Sequence, residues 1–459
     1  MKVTFHTSNA LFQHVYDAAE AKCRLNLQDF AGRRVLIEGA GYHKIWLETQ
    51  PMSGEAYAGR DLTAALNNNL LFMEHQRADG RIPGSIEHKD GGLEAQFNKF
   101  QGFCFPRPAL ELAAWIGYDR EYLLLLYDCL RRFDEYLWRV RDSNNDGCLE
   151  AWCVTDTGED GALRYGDAPF WWTGDTPPAG YAVVPIQSMD VTAYSVTARD
   201  TISAVSNLLG RDENEIDAWR KKADDVRKRI RSYLWDDNRG ACFDRDKDGY
   251  VMPALLHNNL RLMYWNAMSH DMADRFVTEH LTNPEEFWTP MPLPSVAAND
   301  ILFRNNHGND WSGQPQGLTY LRSIRALENY DYYDLIPKLA EKLVSAIGSN
   351  CVFTQQFDTF TGKIASDKDG YGPTMLAVLS FAERLHGVRR ELDTLRFSAL
   401  GGGECEYALT IGDMNASVCG GDDKYECVLN GKKIAIISAG EILTVDMGGE
   451  IIARNHYAN

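Results

Sequence analysis

Trp152, Asp156, Glu159, Asp160, Arg164, Trp171, Trp172 and Asp190 bring four carboxylates, a guanidinium and three indoles into one stretch of about forty residues. A carboxyl buried against indoles keeps its proton to higher pH, which suits it to act as a general acid. A solvated acidic loop would use the same carboxylates, but exposed paired indoles would be costly in it. A second polar stretch, Tyr42 to Asp61, holds Trp46, Glu48, Gln50, Glu55, Tyr57 and Arg60. That mixture fits a polyhydroxylated ligand, whose hydroxyls take carboxylate and amide partners while its ring face lies on an aromatic. Glu48 and Arg60 would equally serve as a structural pair orienting the loop, and the two readings are compatible.

Two turns place oxygen side chains at alternate positions ahead of a glycine: Asp142, Asn144, Asp146, Gly147 and Glu150, then Asp244, Asp246, Asp248 and Gly249. This is the first half of a calcium loop, and neither turn has the closing acid at the twelfth position. A structural Ca2+ on Asp142, Asn144, Asp146 and Glu150 therefore competes with a plain turn, and no other cofactor is expected. The histidines show no HExxH spacing. No GxSxG elbow, Walker loop or strand-anchored GxGxxG gives acyl transfer, nucleotide hydrolysis or dinucleotide chemistry a foothold.

The net charge of -18 over 459 residues argues against nucleic acid and anionic membranes as partners. The 11 Trp and 21 Tyr instead favour a small neutral ligand with flat faces, of which a carbohydrate is the leading case. No apolar run approaches the ~18 residues a membrane span needs. With no export signal at Met1 and ten cysteines without CxxC pairing, the chain reads as cytoplasmic with reduced thiols. Oligomeric state is left open.

These residues need a scaffold, and apolar residues returning every three to four positions predict one made of helices. Helices are expected near 9–23, 61–76, 106–117, 119–140, 190–209, 212–234, 254–263, 267–280, 314–330, 332–348 and 373–387. Eleven is close to the twelve that six hairpins need to close an (α/α)6 toroid. The connections at 40–60, 141–189, 235–253, 281–313 and 349–372 are too long for plain hairpins and hold most of the Trp, Pro and charge, as functional loops do. After about Thr394 alternating runs at Leu395, Tyr407, Lys433 and Glu441, split by Gly-Gly, Asp-Asp and Asn-Gly, predict a small antiparallel sheet. The expected organisation is a helical domain over 1–393 and a β-rich appendage over 394–459.

Several segments, in order, are similar to glycoside hydrolase family 63 in its bacterial branch of mannosylglycerate hydrolases and α-glucosidases, with trehalases more distant. Asp156-Thr-Gly-Glu-Asp160 ahead of Ser188-Met-Asp190-Val-Thr-Ala-Tyr194 resembles an acid loop of type ESGLDNSP before a helix beginning VDLNAYL. Leu234 to Asp244 resembles the LWDEEXGXFYD hairpin, and Phe287 to Ser295 with Asn309-Asp-Trp311-Ser-Gly313 resembles the YGLPS and YWRGPVW segments. Gln314-Pro315-Gln316 departs from the last of these. Phe353-Thr-Gln-Gln-Phe-Asp-Thr-Phe-Thr-Gly-Lys363 resembles the base loop EYFEPFTGE. The resemblance spans roughly residues 40 to 390.

What the resemblance implies is an exo-acting inverting glycosidase that removes a terminal α-linked hexose from a small glycoside. It makes Asp160 the general acid and lays Gln355 on the position of the base, where an amide cannot accept a proton from water. Gln355 fits a lineage whose base lies elsewhere, with Glu48 or Glu55 as candidates, a substitution made to trap ligand, or a saccharide-binding protein without turnover. Trp46, Trp152 and Trp311 would stack on sugar, Arg60, Arg164 and Gln356 would fix hydroxyls or an aglycone carboxylate, and Gln50, Glu55 and Asp190 complete the expected binding set. A sugar epimerase or lyase on the same scaffold would instead use His43, Tyr165, Tyr181 or His307.

Overall fold

The computed structural model describes residues 1–308, 310–366 and 368–457. Among them are twelve α-helices: α1 (Ala10–Leu25), α2 (Gln50–Tyr57), α3 (Leu62–Glu74), α4 (Pro106–Trp115), α5 (Arg120–Val140), α6 (Met189–Leu208), α7 (Glu213–Arg229), α8 (Asn258–Tyr264), α9 (His270–Phe276), α10 (Gly317–Glu328), α11 (Leu335–Ile347) and α12 (Gly372–His386). Asn9, Asp61, Asp119, Ser188 and Asp212 start five of them, each side chain accepting a backbone N–H of the first turn. α2 is the helix missing from the periodicity. It carries Pro51 and Gly54 and is buried over most of its surface, so no apolar stripe marks it.

Helices of even and odd number differ in burial. α7 buries only Ile216, Trp219, Ala223 and Val226, and α11 a single stripe of apolar residues, as expected of helices with one wet face. α6, α8, α10 and α12 are buried on nearly every side. The even helices touch in succession from α2 through α12, and α12 returns to contact α2. The odd helices pack outside: α1 on α12, α5 and α7 on α6, and α11 on α12 and α10.

Eighteen strands complete the described residues. β1 (Lys2–Thr7) precedes the helices; β2 (Leu27–Phe30) and β3 (Arg33–Leu36) form a hairpin, and β4 (Lys44–Trp46), β5 (Ser85–Lys89) and β6 (Gly92–Gln96) a small sheet. β7 (Glu150–Ala151) pairs with β8 (Ile186–Gln187), and β9 (Trp235–Asp236) with β10 (Ala241–Cys242). β11 (Val388–Glu391), β12 (Thr394–Ser398), β13 (Cys405–Ile411), β14 (Met414–Gly421), β15 (Lys424–Leu429), β16 (Lys432–Ile437), β17 (Glu441–Asp446) and β18 (Ile451–His456) end the chain.

The terminal strands make two antiparallel sheets, β1-β13-β14-β15-β16 and β11-β12-β17-β18, where the sequence predicts one. Contacts of β11 with β13 and β14, of β12 with β14 and of β16 with β17 lay one sheet on the other. Tyr407, Leu409, Val418, Tyr425 and Cys427 alternate into the interior with exposed neighbours between them. β1 comes from the other end of the chain and lies on β13 in the register Phe5↔Tyr407, while Phe5 also packs on Phe12 and Tyr16 of α1. Asn430 and Gly431, both at positive φ, make the tight β15–β16 turn that Asn-Gly favours. None of the ten cysteines is in a disulfide, and no described helix is long and apolar enough to cross a membrane.

Candidate functional site

Every connection from an odd helix to the next even one is long: 26–49, 75–105, 141–188, 230–257, 277–316 and 348–371. Those from even to odd, at 58–61, 116–119, 209–212, 265–269 and 329–334, are four to six residues. In alternating antiparallel helices this gathers all the long loops at the N-terminal end of the inner helices. Asp160 and Gln355 lie on two of these loops and are held by a third. Trp311 N donates to Asp160 O at 3.1 Å, and Gln356 Nε2 donates to the neighbouring Asp310 O at 3.0 Å. Asn309 lies outside the described residues.

The acid loop is built on a buried carboxylate. Asp156 accepts from Trp152 N at 2.8 Å, from Phe100 N at 3.0 Å and from Arg141 at 2.5 Å. Burial acts to raise its pKa, but Arg141 and these donors overrule it and hold it below the carboxylate range. The Arg141 guanidinium lies 4.0 Å from the ring centres of both Phe100 and Trp152. Trp152 is therefore sealed within the protein, its indole N–H donating to Glu150 at 2.7 Å, and offers no face to a sugar. Trp171, at 55% exposure, is open instead.

Beneath Asp160 lies a continuous ionic floor. Glu159 is paired with Arg164 and bonded to His257 at 3.0 Å and Asn258 at 3.1 Å. Asp190, at the start of α6, accepts from Asn258 and Arg261, each at 2.8 Å, and Arg164 also pairs with Asp244. Burial opposes the charge on Glu159, yet Arg164 and Arg261 keep it ionised well below the usual range. Asp190 is pushed up to about 6 by burial despite Arg261. Burial also lowers His257 to about 4, leaving it neutral at physiological pH. Arg164 and Asp190 thus hold this floor, and Trp311 closes its edge 5.6 Å from the His257 ring.

The loop before α2 supplies the opposite wall. Trp46 is half-buried, with the Lys99 ammonium 4.7 Å from its ring centre. Gln50 is turned back onto Trp46 N at 2.6 Å and Thr49. Glu48 is buried and paired with Arg322 at 2.8 Å, with Arg261 at 3.8 Å; burial nevertheless lifts it to about 7. Its carboxylate lies directly under the acid loop, where a Cβ added at Gly158 would collide with it. Arg60 pairs not with Glu48 but with Glu20 of α1, and Glu55 pairs with Arg325. Both line a separate cavity at the other end of the inner helices, beside Glu111 and Arg389.

Tyr42 joins this wall to the Gln355 loop, its hydroxyl donating to Gln355 Oε1 at 3.0 Å. One carboxylate here is absent from the sequence-derived set. Glu38, 7% exposed, lies beside the Tyr371 hydroxyl, which acts to lower its pKa, and feels the charges of Glu48, Asp160 and Lys99. Burial, with Glu48 adding to it, raises Glu38 to about 8. Lys99, Tyr371, Arg261 and Arg322 are further members the sequence did not single out. A local signal existed for Glu38 alone: Gly39, Ala40 and Gly41 follow it, all at positive φ, in a turn few other residues tolerate.

Tyr165 is buried and bonded to Thr157 at 2.6 Å, Tyr181 is half-buried, and His43 and His307 are exposed. In the 142–150 turn Asp142, Asn144 and Asp146 accept from the backbone of Gly147, Asp146 and Cys148, while Glu150 takes Ser143 and Trp152. These oxygens serve the turn, and among the described residues no three His, Cys, Asp or Glu side chains gather as metal ligands.

The family described as mannosylglycerate hydrolase MGH1-like glycoside hydrolase domain matches residues 55–373. No curated protein sequence matches the chain. A glycoside hydrolase family 63 mannosylglycerate hydrolase from Thermus thermophilus superposes with TM-score 0.63 at 16% identity, over 80% of this chain and 99% of that one. Neutral trehalase Nth1 from Saccharomyces cerevisiae gives TM-score 0.59 at 12% identity over 80% and 79%. A family 78 rhamnosidase of Bacillus sp. GL1 gives TM-score 0.63 at 14% identity over 93% of this chain and 41% of its own. At these identities the likeness is one of fold.

Proposed function

Because the chain belongs to the mannosylglycerate hydrolase MGH1-like glycoside hydrolase family, we propose that this glycoside hydrolase removes a terminal α-linked hexose from a small glycoside with inversion, inside an (α/α)6 toroid. The succession of inner-helix contacts from α2 to α12 and back to α2 supports the toroid. The observation that carries the chemistry is the tethering of the Asp160 and Gln355 loops to the same 310–311 segment at the loop end.

In this reading Asp160 protonates the departing oxygen while water attacks the anomeric carbon from the other side. Trp46 stacks on the sugar, and the Lys99 ammonium beside it meets a hydroxyl or an aglycone carboxylate. The Thermus relative is a mannosylglycerate hydrolase; a glycerate-type carboxylate is the group that Lys99 would suit here. The ionic floor of Glu159, Arg164, Asp190 and Arg261 holds the acid loop rigid instead of touching ligand.

The test is incubation of the purified chain with methyl and glyceryl α-mannosides and α-glucosides, following the anomer of released hexose by proton NMR. Release of the β-anomer first, abolished in Asp160→Asn, is expected. An unchanged rate in Asp160→Asn would sink the reading. Gln355 supports a second reading, a saccharide-binding protein without turnover, which predicts calorimetric binding of the same glycosides and no free hexose at any pH.

A further inference from the structure

Inverting hydrolysis uses two carboxyls in opposite protonation states, one giving a proton to the leaving oxygen and one taking a proton from water. The amide of Gln355 can orient a water but cannot keep its proton. We propose that Glu38 is the general base of this enzyme, with Gln355 holding the attacking water beside it. This inference rests on the hydrolase reading above and names the group which that reading leaves unassigned.

Glu38 and Gln355 are far apart in the chain and joined in the fold. Gly372 N donates to Glu38 O at 2.6 Å, and Asn26 Nδ2 bridges Glu38 O at 3.4 Å and Gly370 O at 3.0 Å. A Cβ on Gly39 would run into Gly370 O and Asn26, so the two loops pack backbone to backbone. From this seam the side chains continue as one chain of contacts. The Glu38 carboxyl lies beside the Tyr371 hydroxyl, the Tyr371 ring meets Tyr42 edge-on at 6.4 Å, and the Tyr42 hydroxyl reaches Gln355 at 3.0 Å.

Glu38 and Glu48 both feel the charge of Asp160 at this end. Glu48 is under the acid loop and committed to the Arg322 guanidinium at 2.8 Å, with Arg261 at 3.8 Å. Its Oε1 is already engaged by both guanidiniums. Glu38 forms no ion pair among the described residues; the groups that face it are the Tyr371 hydroxyl, Asp160, Glu48 and Lys99. Burial leaves it more basic than a solvated glutamate, the poise a base working near neutrality requires.

The water oxygen bonds to the anomeric carbon as the bond from that carbon to the aglycone oxygen breaks. The aglycone oxygen takes the Asp160 proton, the water proton passes to Glu38, and both carboxyls re-equilibrate with solvent.

The experiment compares wild type, Glu38→Gln and the double variant Glu38→Gln/Gln355→Glu on 4-nitrophenyl α-mannoside and α-glucoside, with circular dichroism on each. A nitrophenolate leaves without protonation, so these substrates isolate the base from the acid. Glu38→Gln is expected to lower kcat by about 10² to 10⁴ with KM little changed. The double variant, returning a carboxylate to the 355 position, is expected to recover at least about tenfold of that loss, which a merely structural role for Glu38 would not allow. Wild-type kcat in Glu38→Gln, or a double variant no faster than the single one, overturns the assignment and leaves the hydrolase reading standing. A wild-type protein that releases neither nitrophenol nor hexose from any of these glycosides overturns both.

Discussion

Two pairs of buried glutamates, one at each end of the inner helices, hold their protons in opposite ways. At the loop end, Glu38 and Glu48 are lifted to about 8 and about 7 by burial, against which Arg322 and Arg261 act on Glu48 without prevailing. At the other end, burial also acts on Glu328 and Glu391, but Arg389 and Arg384 hold Glu328 below its ordinary range, and Arg389 with Arg396 holds Glu391 at about 2. The second arrangement keeps carboxylates permanently ionised and serves as a clamp: Arg389 links Glu328 of α10 to β11, and Leu392 N donates to Glu111 of α4 at 2.9 Å. The first leaves carboxyls able to change their proton near neutral pH, which is what proton transfer needs. Burial acts on both pairs; it prevails at Glu38 and Glu48, and the arginines prevail at Glu328 and Glu391.

Substitutions at the two ends should therefore separate activity from stability. Asp160→Asn is expected to lower kcat on alkyl glycosides by about 10² to 10⁴, with a thermal midpoint within a few degrees of wild type in a calorimetric scan. Arg389→Met should do the reverse. It leaves Glu328 to Arg384 and Glu391 to Arg396 and Arg107, and costs about 1–3 kcal/mol in denaturant titration, while kcat/KM of the folded fraction stays put. If Arg389→Met lowered kcat/KM as far as Asp160→Asn, the division of labour would fail.

Glu38 offers a sharper comparison through pH. Its folded pKa of about 8 stands above the ordinary 4.5, so between those values the folded state keeps a proton the unfolded chain has lost. Folding stability contributed by this group is full below 4.5 and drains away as pH rises to about 8. Glu38→Gln should accordingly gain stability relative to wild type across that window and level off above it, in urea melts at stepped pH. Gly158→Ala, at φ 73 and against the Glu48 carboxylate, should cost about 1–3 kcal/mol and lower activity by shifting the acid loop. Smallest, Asp61→Ala removes the α3 cap and should cost about 1 kcal/mol with activity untouched.

The helical scaffold was largely legible because its helices carry a period. α5 buries Tyr122, Leu126, Leu130, Phe133 and Leu137 at helical spacing, and the predicted span 119–140 differs from it by a residue. α2 was not legible, since Pro51, Gly54 and burial on most sides leave no stripe. Strand β14 escaped for a related reason: Met-Asn-Ala-Ser-Val-Cys-Gly-Gly is short in side chain, and only Ala416 and Val418 show the inward face. Within the site, local chemistry pointed to the right loops and less well to the right atoms. Trp152 faces Arg141 and Arg60 faces Glu20, partners from distant helices that no spacing announces. The turn after Glu38 marks its loop, but its neighbourhood with Gln355 emerges only when the two loops are laid together.

The lower mouth has a consequence for traffic. At the end of the inner helices away from the long loops, Arg60, Arg325, Arg384 and Arg389, each paired with a carboxylate, line the cavity, and Val3 of β1 and Arg390 of β11 join its wall. If the six inner helices close into the proposed toroid, these ion pairs bar a sugar chain from threading through it. Whatever enters between the loops must back out by the same door, so a long polymer could present only its tip, and the freed sugar, deepest in the well, would have to wait for the remainder to depart.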